Sequence, residues 1–229
     1  LLGRRLGMRS QALMQDVMEE RSRQDLEASI RTIVKMTFLF EAFGAVILFL
    51  RFYPVLGDVK QAVFYSVFHS VSAYCNAGFS LWSDSLISWR SDFVVMSTIM
   101  GLITIGGLGS TVVAALIHRD NVRRSPRASW ARWPIHVKTV LMVSLSLVLF
   151  GAVVYYFFEY NHSLKDMPLS DKLMSSLFQS VTMRTAGFNT TDLSVLHRVT
   201  LIVMVILMFI GGSSGSTAGG VKTSTVAVV

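Results

Sequence analysis

The chain has 229 residues, of which 52% are hydrophobic and 15% charged, with a mean hydropathy of +0.53 and a formal net charge of +7. Soluble domains carry about 25% charged residues, so an ordinary soluble fold is excluded. The basic excess includes no basic helix or aromatic–basic stripe, which argues against nucleic acid as a partner. The single cysteine, Cys75, excludes an internal disulfide and a cysteine-rich metal site.

In chain order, residues 10–31 (SQALMQDVMEERSRQDLEASIR) read as a charged cytoplasmic helix or linker within a first segment, 1–31. An apolar span follows at 32–53, carrying Lys35 near its start and Glu41 further in. An ionisable residue at membrane depth is functional by default; the alternative is that Glu41 lies near one face and hydrogen-bonds to protein. Residues 61–82 begin with a fourteen-residue helix, Gln61 to Tyr74, and end in a polar turn. At 1.5 Å per residue such a helix reaches about 21 Å, too short to cross a bilayer core of about 30 Å. A second span is expected at 92–117, uncharged from Phe93 to Ile117. A basic loop, 118–137, leads to a second series: a span at 138–159, a short helix and turn at 169–190, and a last, interrupted span at 197–229. The fold class expected is all-α integral membrane, with two tandem span–pore-loop–span repeats, 32–117 and 138–229. The chain is expected to be part of a longer polypeptide.

Lysine and arginine set the orientation. Residues 1–35 hold seven and 118–138 hold six, against three in 51–92 and four in 159–198. This places the N-terminal segment and the 118–138 loop in the cytoplasm and both short helices on the outer side, in a cell membrane crossed several times.

Each short helix then enters from outside and aims its C-terminus, with its negative partial charge, at the membrane interior. The turns that follow are Cys75-Asn76-Ala77-Gly78 and Arg184-Thr185-Ala186-Gly187. Irregular backbone at membrane depth is tolerated only inside protein or along a watery path. Glycine permits positive φ, so consecutive carbonyls can face one side and replace the water around a potassium ion. Neither turn contains a carboxylate. Arg184 fits a cation site only if its side chain points away, toward Asp192 or Asp84.

The two series are in register. Gly78 and Gly187 are 109 residues apart, and Ile105-Gly106-Gly107 and Ile210-Gly211-Gly212 are 105 apart, each followed by Gly-Ser-Thr. The match is not gapless: Ser70 to Gly78 is eight steps and Ser180 to Gly187 is seven. Two spans per repeat keep both repeats in one orientation, as around a pore, whereas a broken-helix secondary transporter with inverted repeats needs an odd number.

The stretches FHSVSAYCNAGFSLWSDSL, FQSVTMRTAGFNTTDLS and FIGGSSGSTAGGVKTST resemble the second and third repeats of the Trk/Ktr/HKT potassium transporter superfamily, most of all the membrane subunit of the bacterial Ktr K+ uptake systems. The resemblance covers nearly the whole chain and implies four repeats around one pore, with two present here. It also implies a homodimer, a cytosolic nucleotide-binding regulatory ring, and sodium (Na+) as an activator in many members.

The last span is interrupted by Gly211-Gly212-Ser213-Ser214-Gly215-Ser216-Thr217-Ala218-Gly219-Gly220. Each glycine costs a helix about 1 kcal/mol relative to alanine, so five of them favour a flexible intramembrane loop over close helix packing. The resemblance implies that this loop is the gate. Lys222 either positions the loop or snorkels. Gly211 to Gly215 also satisfies the G-x-S-x-G of serine hydrolases. An intramembrane protease would need a histidine at the same depth, and only His69 qualifies, inside a pore helix where packing or hydrogen bonding is its expected role. No enzymatic step is expected.

Overall fold

The computed structural model describes residues 8–117, 130 and 133–226, and the chain divides into two units, 1–39 and 40–229. Most of the expected basic loop, with Arg119, Arg123, Arg124, Arg127 and Arg132, lies outside the described residues, as do Arg4 and Arg5. Among the described residues the regular elements are all helical, and the only β-type pairing is an isolated bridge between Ile210 and Val221.

Helix α1 runs from Met8 to Leu56, and its stretch Ile30–Leu56 is long and apolar enough to cross a membrane. Gly57, at φ +71°, ends it, with its N–H on the Tyr53 carbonyl at 2.9 Å; a glycine in the left-handed region is the common helix stop. Asp58 then caps α2 (Val59–Tyr74) by accepting from the Lys60 N–H. Helix α3 (Phe93–Leu108) is capped by Asp92, and α4 (Ser110–Ile117) follows it. Helix α5 (Ile135–Glu159) is the second full-length apolar helix. Helices α6 (Leu169–Thr182), α7 (Arg198–Phe209) and α8 (Thr223–Val226) complete the chain.

The stretch 92–117, expected as one span, is two helices bent by 106° at Gly109. Gly109 sits at φ +81°, a conformation open to glycine but costly for other residues. The interrupted last span is broken at the corresponding place. Both repeats therefore pair one continuous helix with one broken helix.

Repeat symmetry extends to the packing. Ser70 Oγ donates to the Glu41 carbonyl at 2.7 Å, and Ser180 Oγ to the Val148 carbonyl at 2.6 Å. A Cβ added at Gly44 would collide with Ser70 Oγ, and one at Gly151 with Ser180 Oγ. In each repeat a glycine on the long helix lets the short helix dock by a serine hydroxyl. Phe43, Val46 and Leu50 of α1, Leu145, Leu149 and Val153 of α5, and Ile202, Val205 and Phe209 of α7 are each more than half exposed. Soluble proteins rarely leave such runs open; they suit contact with lipid or with further apolar helices.

The connections that follow the two turns are interlocked. Leu86 N–H donates to the Asn189 carbonyl at 3.0 Å, and Asn189 N–H to Ser85 Oγ at 3.0 Å. Phe52, Trp82 and Trp89 pack edge-on or tilted with ring centroids 4.8–5.3 Å apart, and the His69 ring lies 4.4 Å from Trp82. His69 is fully buried, with Nδ1 2.7 Å from the Tyr65 carbonyl and Nε2 3.1 Å from Ser80 Oγ. It is a packing and hydrogen-bonding residue, as expected.

Candidate ion-conduction site

Each short helix ends in a turn built the same way. Asn76 and Gly78 have φ of +52° and +72°, and Thr185 and Gly187 have +67° and +91°. Left-handed residues thus flank Ala77 and Ala186, and the peptide planes do not alternate sides as they would in a strand. The N–H groups turn back to the helix: Asn76 to the Ala73 carbonyl (3.2 Å), Ala77 to Ser72 (2.9 Å), Ala186 to Thr182 (2.9 Å). The carbonyls of Cys75–Gly78 and Arg184–Gly187 accept no hydrogen bond among the described residues. Just beyond, the Phe79 and Phe188 carbonyls are fixed by Ser72 Oγ and Thr182 Oγ1, both at 2.8 Å. Inside a protein nearly all carbonyls find a donor. Two four-residue rows without one, at the negative ends of two helices, are suited to a cation.

The rows meet. A Cβ at Gly78 would collide with the Ala186 carbonyl oxygen, and one at Gly187 would come 3.3 Å from the Gly78 Cα. The one-residue offset between the repeats lies between Ser72 and Asn76, against Thr182 to Thr185, and is absorbed at the helix end.

Arg184 is not paired with Asp192 or Asp84. Its Nη2 donates to the Gly211 carbonyl at 3.1 Å, while Asp192 accepts from Ser194 N–H and Asp84 from Ser88. Arg184 and Thr185, just past the end of α6, both reach the 211–220 loop, so Arg184 is held there and not by either aspartate. Glu41 lies half-buried behind the first turn, with the Cys75 thiol 3.9 Å from its Oε1.

The 211–220 loop is closed at its neck: Gly211 N–H to the Val221 carbonyl (3.0 Å), Val221 N–H to Phe209 (2.9 Å), and Thr223 N–H to Gly212 (3.0 Å). It also caps α3. A helix leaves its last carbonyls unpaired; here Thr217 N–H takes Gly106 (3.2 Å), Ser213 N–H takes Gly107 (3.0 Å), and Ser213 Oγ takes Leu108. The same loop touches both turns. Asn76 Nδ2 donates to Thr217 Oγ1 at 2.8 Å, and Gly219 N–H donates to Thr185 Oγ1 at 3.1 Å. Lys222 Nζ holds the Ala218 carbonyl at 2.8 Å, so it positions the loop.

Over residues 2–229 the chain matches the TrkH family, described as cation transport protein. The chain belongs to this family. It is 36% identical to the Ktr system potassium uptake protein B of Vibrio alginolyticus, over 100% of this chain and 49% of that protein. It is 35% identical to the protein of the same name from Bacillus subtilis, over 100% and 50%, and 34% identical to the potassium/sodium uptake protein NtpJ of Enterococcus hirae, over 86% and 42%. The chain thus spans about half the length of these relatives. The crystal structure of the potassium transporter TrkH from Vibrio parahaemolyticus aligns with a TM-score of 0.58 at 21% identity, covering 83% of this chain and 46% of that one, a likeness of fold. These relatives are transporters, so the serine-hydrolase reading of Gly211 to Gly215 falls away.

In this TrkH-family chain the two turns meet at Gly78 and Gly187 and are joined to the loop through Asn76, Arg184 and Thr185. Sequence reasoning missed Glu159, the buried carboxylate at the end of α5. It accepts from His197 N–H (2.9 Å) and Thr200 Oγ1 (2.6 Å), tying α5 to the start of α7. The only signal was its position directly after the uncharged run 139–158. Asn76 and Thr185 were read for their carbonyls, not for the side chains that hold the loop.

Proposed function

We propose that this chain forms part of the pore of a potassium uptake system. K+ enters from outside, sheds water onto the carbonyls of residues 75–78 and 184–187, and passes a gate at 211–220. The observation that carries the reading is the pair of unengaged carbonyl rows, each flanked by left-handed residues and apposed at Gly78 and Gly187. The relatives named for potassium uptake support the choice of ion. No chemical step is required, since an inside-negative potential supplies about 2.3 kcal/mol per charge per 100 mV. The N-terminal segment and the 118–137 loop face the cytoplasm, where their basic residues also offer a surface to a nucleotide-binding regulatory ring. A homodimer, that ring and activation by Na+ complete the proposal, on the strength of the family alone.

The test is rubidium uptake into liposomes holding the complete protein, with external potassium and sodium as competitors. Potassium is expected to compete better than sodium, and Gly187→Ser to abolish that preference. If the wild type shows no uptake with or without the regulatory ring and nucleotide, or if Gly187→Ser keeps the preference, the filter reading fails and a broken-helix transporter takes its place.

A further inference from the structure

A cleft of about 320 Å³ lies between the repeats, lined by Ile103, Thr104 and Leu108 of α3 and by Leu141, Leu145 and Val148 of α5. It opens beside the exposed apolar stripe of α5. Thr104 is exposed, and Leu145, 60% exposed, continues the apolar stripe of Leu149 and Val153. Its inner end reaches Arg184 and Gly212.

Arg184 is unusual for its surroundings. A guanidinium has five N–H donors, and a single hydrogen bond, from Nη2 to the Gly211 carbonyl, engages them. Nε is buried with no partner. The ion pairs among the described residues join Arg51 to Asp92 and Glu159 to His162, so no carboxylate faces Arg184. A buried cation at membrane depth is normally paired or hydrated. This one lines an apolar cleft beside the exposed stripe of α5.

We propose that the cleft binds a single-chain fatty acid taken from the bilayer, its carboxylate against the Arg184 guanidinium and its tail between α3 and α5. Carboxylate is the head that a guanidinium fork matches in charge and geometry. At about 30 Å³ per methylene-sized group, comparable with the volume of one water, the cleft holds about ten such groups. That fits the inner part of one chain but not the two chains and glycerol of a phospholipid. The occupied site lies against Gly212, and its head competes with the Gly211 carbonyl for Arg184. The binding inference stands on the cleft and Arg184, not on ion transport.

The test uses the complete protein in phosphatidylcholine nanodiscs and palmitic acid carrying a tail diazirine, with labelled peptides mapped by mass spectrometry. Saturable labelling is expected on α3 and α5 near Thr104, Leu141 and Leu145. Unlabelled palmitate is expected to displace it about tenfold better than its methyl ester, as a charge-assisted contact implies. Arg184→Gln is expected to erase that difference while tail labelling persists. Leu145→Trp, which fills the mouth, is expected to lower labelling several-fold. Equal displacement by acid and ester in the wild type overturns the proposal, whether or not the Arg184 variant folds. So does labelling of Phe43 and Val46 of α1 as strong as that of the cleft, or stronger displacement by phosphatidylglycerol than by palmitate.

Discussion

Gly78 and Gly187 occupy equivalent places but do not face equivalent constraints. Both need a left-handed φ, which costs other residues about 1–3 kcal/mol. Gly78 additionally abuts the Ala186 carbonyl, with no room for a Cβ, whereas the nearest atom to a Cβ at Gly187 is the Gly78 Cα at 3.3 Å. Gly78→Ala is therefore expected to separate the two turns, giving a protein that loses both rubidium uptake and its sharp size-exclusion peak. Gly187→Ala is expected to stay assembled with weakened preference for potassium over sodium. Equal damage from both, in the same assays, contradicts the apposition. The glycines were legible from sequence because few residues adopt positive φ; Asn76 and Thr185 were not. A β-branched residue at φ +67° is an outlier, and only the structure supplies a reason for it, the Thr185 hydroxyl that receives Gly219 N–H.

The helices themselves were legible wherever hydrophobic length decided the matter, as in residues 30–56 and 135–159. The bend at Gly109 was not, because an apolar run without charge reads the same whether straight or broken. What breaks it is tertiary: the loop from the other repeat caps the Gly106, Gly107 and Leu108 carbonyls, giving the helix end the donors it would otherwise lack. Glu159 belongs to this scale as well. It joins α5 to α7 by accepting from His197 and Thr200 in a fully buried setting. Removing it leaves those donors unpaired, at about 1–3 kcal/mol each. Glu159→Ala is expected to lower the thermal midpoint in detergent by several degrees, and Glu159→Gln, which keeps an acceptor oxygen, by less than half as much. An unchanged midpoint in the alanine variant would show that the contact contributes nothing.

At the scale of the molecule, one loop contacts three things at once: the end of α3, the first turn through Asn76 and Thr217, and the second through Thr185, Arg184, Gly219 and Gly211. Thr217 Oγ1 also donates to the Tyr74 carbonyl at 2.9 Å, the last residue of α2. Displacing the loop would break the bonds that hold Asn76 and Thr185. Residues joined in this way are energetically coupled, and a double-mutant cycle measures the coupling directly. Asn76→Ala removes the Asn76–Thr217 bond, and Thr217→Val removes that bond and the one to Tyr74. Each is expected to raise basal rubidium uptake without the regulatory ring and to weaken discrimination against sodium. The double variant is expected to match Thr217→Val alone rather than show the product of the two effects, because Asn76→Ala then has no bond left to break. Multiplicative effects, as at distant independent sites, would mean that loop and turns move separately and that the Asn76–Thr217 contact does not transmit gating to the filter.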